Sequence, residues 1–105
     1  MITIHIITSS EPQAAHVAEW LLRERLVYQN VDIDYQDTFV LNEAGKLDKS
    51  KTYKLQARTK ALLFNAIEDG LRAKFGNDAP FLYSTPIVGM DAMRSKDLID
   101  KLMKV

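Results

Sequence analysis

At 105 residues and 12.0 kDa the chain has room for one domain, spanning residues 1–105, and not for two. A composition of 47% hydrophobic and 27% charged residues excludes disordered, collagen-like and low-complexity classes, and no apolar run reaches the ~18 residues of a membrane span. Fourteen basic and fourteen acidic residues cancel to a net charge of zero, so the basic surplus of a general nucleic-acid binder is missing.

Residues 2–8 form a β-branched run with apolar groups on both sides: Ile2, Ile4 and Ile6 against Thr3, His5 and Ile7. That pattern predicts a central strand. Ser10 and Gln13 make a capping box, Pro12 suits a first helical turn, and Ala14, Val17, Ala18, Leu21, Leu22 and Leu26 repeat at helical spacing. A first helix over about 11–25 is expected.

From Val27 the period changes to two. Val31, Ile33, Tyr35, Phe39 and Leu41 face one way, with Asn30, Asp32, Asp34, Gln36 and Thr38 on the other. Gly45 ends a hairpin loop, 46–50 is expected to be loose, and Tyr53, Leu55, Ala57 and Thr59 alternate with Lys54, Gln56 and Arg58. A three-residue loop at 43–45 sets Lys54 opposite Asp34 and Arg58 opposite Asn30.

Thr59 is placed to cap a second helix over about 60–75, with Leu63, Phe64, Ile67, Leu71 and Phe75 inward and Gly76 as its left-handed stop. Phe81, Tyr83, Thr85 and Ile87 alternate in a last strand. Pro80 and Pro86 at its two ends predict an edge or bulged position. Ser95 is expected to cap a short terminal helix that buries Leu98, Ile99, Leu102 and Met103.

The order β-α-β-β-α-β plus a C-terminal helix is an α+β, ferredoxin-like split βαβ with an antiparallel sheet. Its helices lie on one face only. The other face, on which Tyr28, Val40 and groups of the first strand are expected, needs cover from another subunit.

Candidate chemistry is sparse. The chain has no cysteine, so disulfides, thiolate metal sites and cysteine nucleophiles are excluded. His5 and His16 lack the i, i+4 spacing of a helical metal pair, and both are read as structural. Asp32 and Asp34 share a strand face and read as a salt ladder with Lys54 and Arg58. No Gly-x-Ser-x-Gly motif is present, and the four glycines do not cluster into a phosphate-cradling loop. Trp20 is read as packing. The N-terminal segment has neither a basic n-region nor a cleavage pattern, and a cytoplasmic location without membrane contact is expected.

Residues 45–59, Gly-Lys-Leu-Asp-Lys-Ser-Lys-Thr-Tyr-Lys-Leu-Gln-Ala-Arg-Thr, resemble the turn and strand of the CutA, or divalent-cation-tolerance, family. The prolines at 80 and 86 and the Glu24-Arg25-Leu26 segment are similar to it as well, and element order agrees along the whole chain. The resemblance implies a homotrimer with three sheets facing inward, kinship with PII signalling proteins, ligands in clefts between subunits, and a non-enzymatic role. It also implies an association with divalent metal, especially copper.

The departures fall at the polar positions. The family's Cys-Val-Asn lies near Gln29-Asn30-Val31, its Tyr-x-Trp becomes Phe39-Val40-Leu41, and its His-Pro-Tyr-Glu becomes Phe75-Gly76-Asn77-Asp78; Phe81 replaces its Glu after the first proline. Only Arg58, the basic residue of its Lys/Arg-Thr, carries over. The expectation is therefore a trimer without metal or other cofactor. Lys54, Arg58 and Lys60 would form the basic side of an intersubunit cleft, with Asn77 and Asp78 at its rim, suited to a small anionic ligand. The alternatives are a divalent metal tolerance protein and a small ferredoxin-like enzyme of the monooxygenase or isomerase kind, with His5 or Tyr35 facing a pocket.

Overall fold

In the computed structural model, which describes residues 1–104, the predicted order is realised as four strands and three helices. They are β1 (Ile2–Thr8), α1 (Glu11–Arg23), β2 (Tyr28–Leu41), β3 (Leu47–Thr59), α2 (Phe64–Phe75), β4 (Phe81–Pro86) and α3 (Ala92–Lys101). The sheet is antiparallel with strand order β2-β3-β1-β4. β1 is central and the proline-flanked β4 lies at an edge, as the alternation and the prolines predict.

The core is the helix-facing side of the sheet. Ile4 and Ile6 of β1 and Leu55 and Ala57 of β3 meet Ala14, Val17 and Leu21 of α1 and Ile67 and Leu71 of α2, all essentially inaccessible. The capping box forms: Gln13 N–H donates to Ser10 Oγ at 3.2 Å, and Gln13 Oε1 accepts from Ser9 N at 3.3 Å. Gly45 and Gly76 take positive φ, 76° and 58°, at the hairpin turn and the end of α2.

Several expectations need correction. α1 stops at Arg23, because Arg25 turns the chain with φ 53°. Residues 47–50 are strand, not loop. The hairpin ladder runs unbroken from Asp32↔Gln56 to Leu41↔Leu47, reinforced by a 2.8 Å Thr38–Thr52 hydroxyl contact. Lys54 does face Asp34, but Arg58 faces Tyr28 rather than Asn30, since a bulge at 29–31 shifts the register by two residues and Gln29 adopts φ 60°.

Thr59 does not cap a helix. Its hydroxyl donates to Leu26 O at 2.6 Å in the core, and a 3-10 turn at Ala61–Leu63 leads into α2 instead. The cap of α3 is Asp91, four residues before Ser95, with Oδ1 accepting from Arg94 N at 2.9 Å. Ile99 is half exposed, while Leu98 and Leu102 are buried.

α3 closes the end of the sheet where β1 and β2 begin and β3 and β4 finish. Lys60 Nζ and Met103 N reach across that end to Met103 O and Arg25 O, respectively. Tyr28 lies on the helix-free face as expected but is buried beside α3, where its hydroxyl donates to Asp97 Oδ2 at 2.6 Å. The hairpin tip beyond Tyr35↔Tyr53 outruns β1, and the molecule measures 51 × 29 × 19 Å.

Candidate functional site

The face of the sheet opposite α1 and α2 is built in rows, because cross-strand partners in an antiparallel ladder point the same way. One row is Thr85–Thr3–Arg58–Tyr28, the next Tyr83–His5–Gln56–Asp32, and the third Phe81–Ile7–Lys54–Asp34. Strand alternation alone therefore gathers aromatic, basic, acidic and amide groups on one surface.

His5 sits at its centre, only 8% exposed. Its ring stacks on Tyr83 with centroids 4.6 Å apart and planes 7° from parallel. Nε2 lies 3.0 Å from Thr85 Oγ1, and Nδ1 is buried without a hydrogen-bond partner. Burial, and then the Lys54 charge, hold the imidazole below its ordinary pKa of 6.5, so the ring is neutral near pH 7. Lys54 lies 5.8 Å from the Tyr83 ring centroid and, among the described residues, has no carboxylate within 4.0 Å. Its cross-strand neighbour Asp34 thus does not close an ion pair with it. Arg58 is engaged: its guanidinium is 3.6 Å from Asp32 Oδ2. The salt ladder read from the sequence exists at Arg58 and not at Lys54.

The other sequence-derived site residues lie elsewhere within one chain. Lys60 is at the α3 end, donating to Met103 O at 2.8 Å. Asn77 and Asp78 form a 3-10 turn just before β4, at the opposite end of the sheet from Arg58. A single subunit brings Lys54 and Arg58 onto one face, with Lys60 two residues beyond Arg58 at the same end of the sheet, and holds Asn77 and Asp78 at the other end.

A second polar cluster escaped the sequence reading. Tyr28, Asp97 and Lys101 join at the α3 end, where Asp97 accepts from Tyr28 and pairs with Lys101 at 3.1 Å. The Tyr28 hydroxyl, and next Lys101, lower the Asp97 pKa. Sixty-nine residues separate Tyr28 from Asp97, and no local pattern signals their meeting. An open cleft of about 400 Å³ beside them is lined by Gln29, Met93, Arg94, Lys96 and Asp100 with Tyr28 and Asp97, a mixed-charge lining.

Among the described residues, no three His, Asp or Glu side chains converge as metal ligands. Asp32 is committed to Arg58, and His16 lies on α1 edge-on to Phe75 at 5.9 Å. The chain therefore does not by itself fit the divalent metal that the family resemblance implies. His5 and Tyr35 lie on opposite faces, Tyr35 being 65% exposed and edge-on to Tyr53.

No protein-family model matches the chain, and no curated protein matches it. Solved structures do. CutA1 from Pyrococcus horikoshii superposes with a TM-score of 0.85 at 20% identity, covering 99% of this chain and 100% of that one. CutA1 from Oryza sativa gives 0.85 at 19% identity, covering 99% and 94%. The protein described as a periplasmic divalent cation tolerance protein, CutA from Archaeoglobus fulgidus, gives 0.81 at 22% identity, covering 96% and 98%. The fold is thus that of CutA1 proteins over the full described length.

Proposed function

We propose that this chain is a divergent CutA-type protein, a non-enzymatic homotrimer that binds a small anionic ligand or a partner in the clefts between its subunits. The observation that carries the reading is a surface too open for a monomer. A compact monomer of this mass exposes ~6,000 Å² with a radius of gyration of ~13 Å. The chain exposes 6846 Å² with a Cα radius of 15.2 Å. The excess is of the kind that association removes. The hairpin tip presents Phe39, Val40, Leu41 and Leu47, all more than half exposed, and Phe81 on the helix-free face is 65% exposed. Zero net charge removes the self-repulsion that would oppose assembly.

Lys54 supports the anionic ligand. It is a cation beside an aromatic ring, with no carboxylate within 4.0 Å among the described residues, on the face that the neighbouring subunits would cover. Arg58 adds a second positive group whose single ion pair is partly exposed. Lys60 lies at the Arg58 end of the same chain, while Asn77 and Asp78 would join the site through a neighbouring subunit. A cytoplasmic location goes with this proposal; among the described residues no helix is long and apolar enough to cross a membrane. The divalent-metal reading rests on the names of structural neighbours, and among the described residues no three metal-binding side chains converge.

Thermal-shift measurements with inorganic phosphate and with citrate test the ligand. A rise in melting temperature that Lys54→Ala and Arg58→Ala abolish supports the site. Arg58→Ala itself should barely change the melting temperature, since an exposed pair contributes about 0–1 kcal/mol. No shift in the unmodified protein, across these and a wider panel of organic acids and phosphates, would leave a trimer without an anion site.

A further inference from the structure

His5 is the histidine enclosed within the helix-free face, 8% exposed. Resting on the proposed self-association through that face, we propose that His5 makes the assembly acid-labile: the trimer forms on the neutral imidazole and loosens when His5 takes a proton.

The groups around the ring define the effect. From β3 they are Lys54, Gln56 and Arg58; from β4, Phe81, Tyr83 and Thr85; from β1 itself, Thr3 and Ile7; and from β2, beyond β3, Asp32 and Asp34. α1 and α2 pack on the other side of the sheet and contribute no charge to this one. Of the two cations, Arg58 is offset by Asp32, while among the described residues no carboxylate comes within 4.0 Å of Lys54, its cross-strand neighbour Asp34 included. A proton on His5 therefore adds positive charge next to an ammonium that closes no ion pair among the described residues. It also turns Nδ1 and Nε2 both into donors. Thr85 Oγ1 can accept from Nε2, but among the described residues no group is in hydrogen-bonding position for Nδ1. Water can serve the separated subunit by a small opening of the face. Neighbouring sheets laid over it displace that water, so the charged ring is worse placed in the trimer than out of it.

The sign follows. Burial and Lys54 already lower the His5 pKa in the single chain, and cover by other subunits acts in the same direction. The assembly then binds fewer protons than its separated subunits. Assembly is fully favoured above the His5 pKa of the separated subunit, itself below the ordinary 6.5, and weakens as pH falls from there toward the still lower value in the trimer. One linked proton changes an equilibrium constant by at most ~10-fold per pH unit, so three per trimer allow up to ~1,000-fold per unit.

Sedimentation velocity on the full chain at about pH 7.5 and about pH 5, with circular dichroism to follow folding, tests this. The concentration is set a few-fold above the dissociation midpoint at the higher pH. The expected result is ~36 kDa at the higher pH and a folded ~12 kDa species at the lower, three chains against one. His5→Gln keeps an amide where Nε2 can reach Thr85 and cannot titrate, and should hold its trimer at both pH values. An unmodified trimer that persists unchanged at the lower pH overturns the switch and leaves the trimer standing. A folded ~12 kDa species already at the higher pH overturns the trimer and the switch with it. A His5→Gln trimer that dissociates like the unmodified protein overturns the assignment to His5. If His5→Gln does not assemble at all, Lys54→Gln decides: losing the neighbouring cation should reduce the acid effect, and an unchanged effect refutes the mechanism.

Discussion

Gly70 offers a steric test of the packing that holds the two sheet-covering helices together. It lies in α2 against the Trp20 ring of α1, and a Cβ built at position 70 would fall inside the van der Waals envelope of Trp20 Cζ2 and Cη2 and 3.4 Å from Cε2. Two effects oppose each other in Gly70→Ala. Alanine in a helix interior gains about 1 kcal/mol over glycine. Overpacking a well-filled contact costs about 1–3 kcal/mol. Trp20 is only partly buried, with the Lys74 ammonium 5.4 Å from its ring centroid, so some of the strain can relax outward. The single variant should therefore be destabilised by about 0–2 kcal/mol.

The double-mutant cycle separates the terms. In a Trp20→Ala background the clash is gone and Gly70→Ala should stabilise by about 1 kcal/mol, giving a coupling of about 1–3 kcal/mol. Urea unfolding followed by circular dichroism, at one fixed protein concentration, measures it without relying on the single tryptophan as reporter. A coupling below about 0.5 kcal/mol would refute the claim that glycine is needed at 70 because the indole occupies the space.

Two further outcomes follow from buried or bridging hydroxyls. Thr59→Val keeps the shape of the side chain but leaves Leu26 O without its 2.6 Å donor in the core, and should cost about 1–3 kcal/mol in the same urea assay. Tyr28→Phe removes the donor that, ahead of Lys101, holds the Asp97 carboxyl below its ordinary value. The lowered pKa stabilises the fold above the ordinary value of 3.8 and that stabilisation is lost as pH falls through the lowered one. The variant should therefore melt earlier at neutral pH and lose less of its remaining stability on going below about pH 4, as thermal melts across that range would record.

Local chemistry made most of the fold readable before the structure. Alternation in β1 and β3, the Ser10 cap, the left-handed Gly45 and Gly76, and the edge prolines each act within a few residues of where they stand. What escaped depends on distant partners. Thr59 is a competent helix cap by residue type, yet the carbonyl that claims its hydroxyl is 33 residues away. Asp91 and Ser95 are both good caps for α3 by residue type, and it is Asp91 that takes the position, accepting from Arg94 N. The bulge at 29–31 has no glycine to announce it, so a hairpin register that holds from Asp32 to Leu41 misplaces Arg58 by two residues.

The site shows the same division. That Lys54, Gln56 and Arg58 share a face follows from period two, and the Lys54–Asp34 pairing follows from the Gly45 turn. The burial of His5 needed the β1–β4 register, which puts Tyr83 directly beside it. The separation of Asn77 and Asp78 from Arg58 likewise follows from the antiparallel direction of β4, which starts beside Ile7 and ends beside Ile2.

The molar mass of the purified chain near pH 7.5, by light scattering at micromolar concentration, tests the central claim most directly. Covering the helix-free face and the projecting hairpin with two further copies predicts ~36 kDa, three times the 12.0 kDa chain. A folded species of ~12 kDa at that concentration would contradict it.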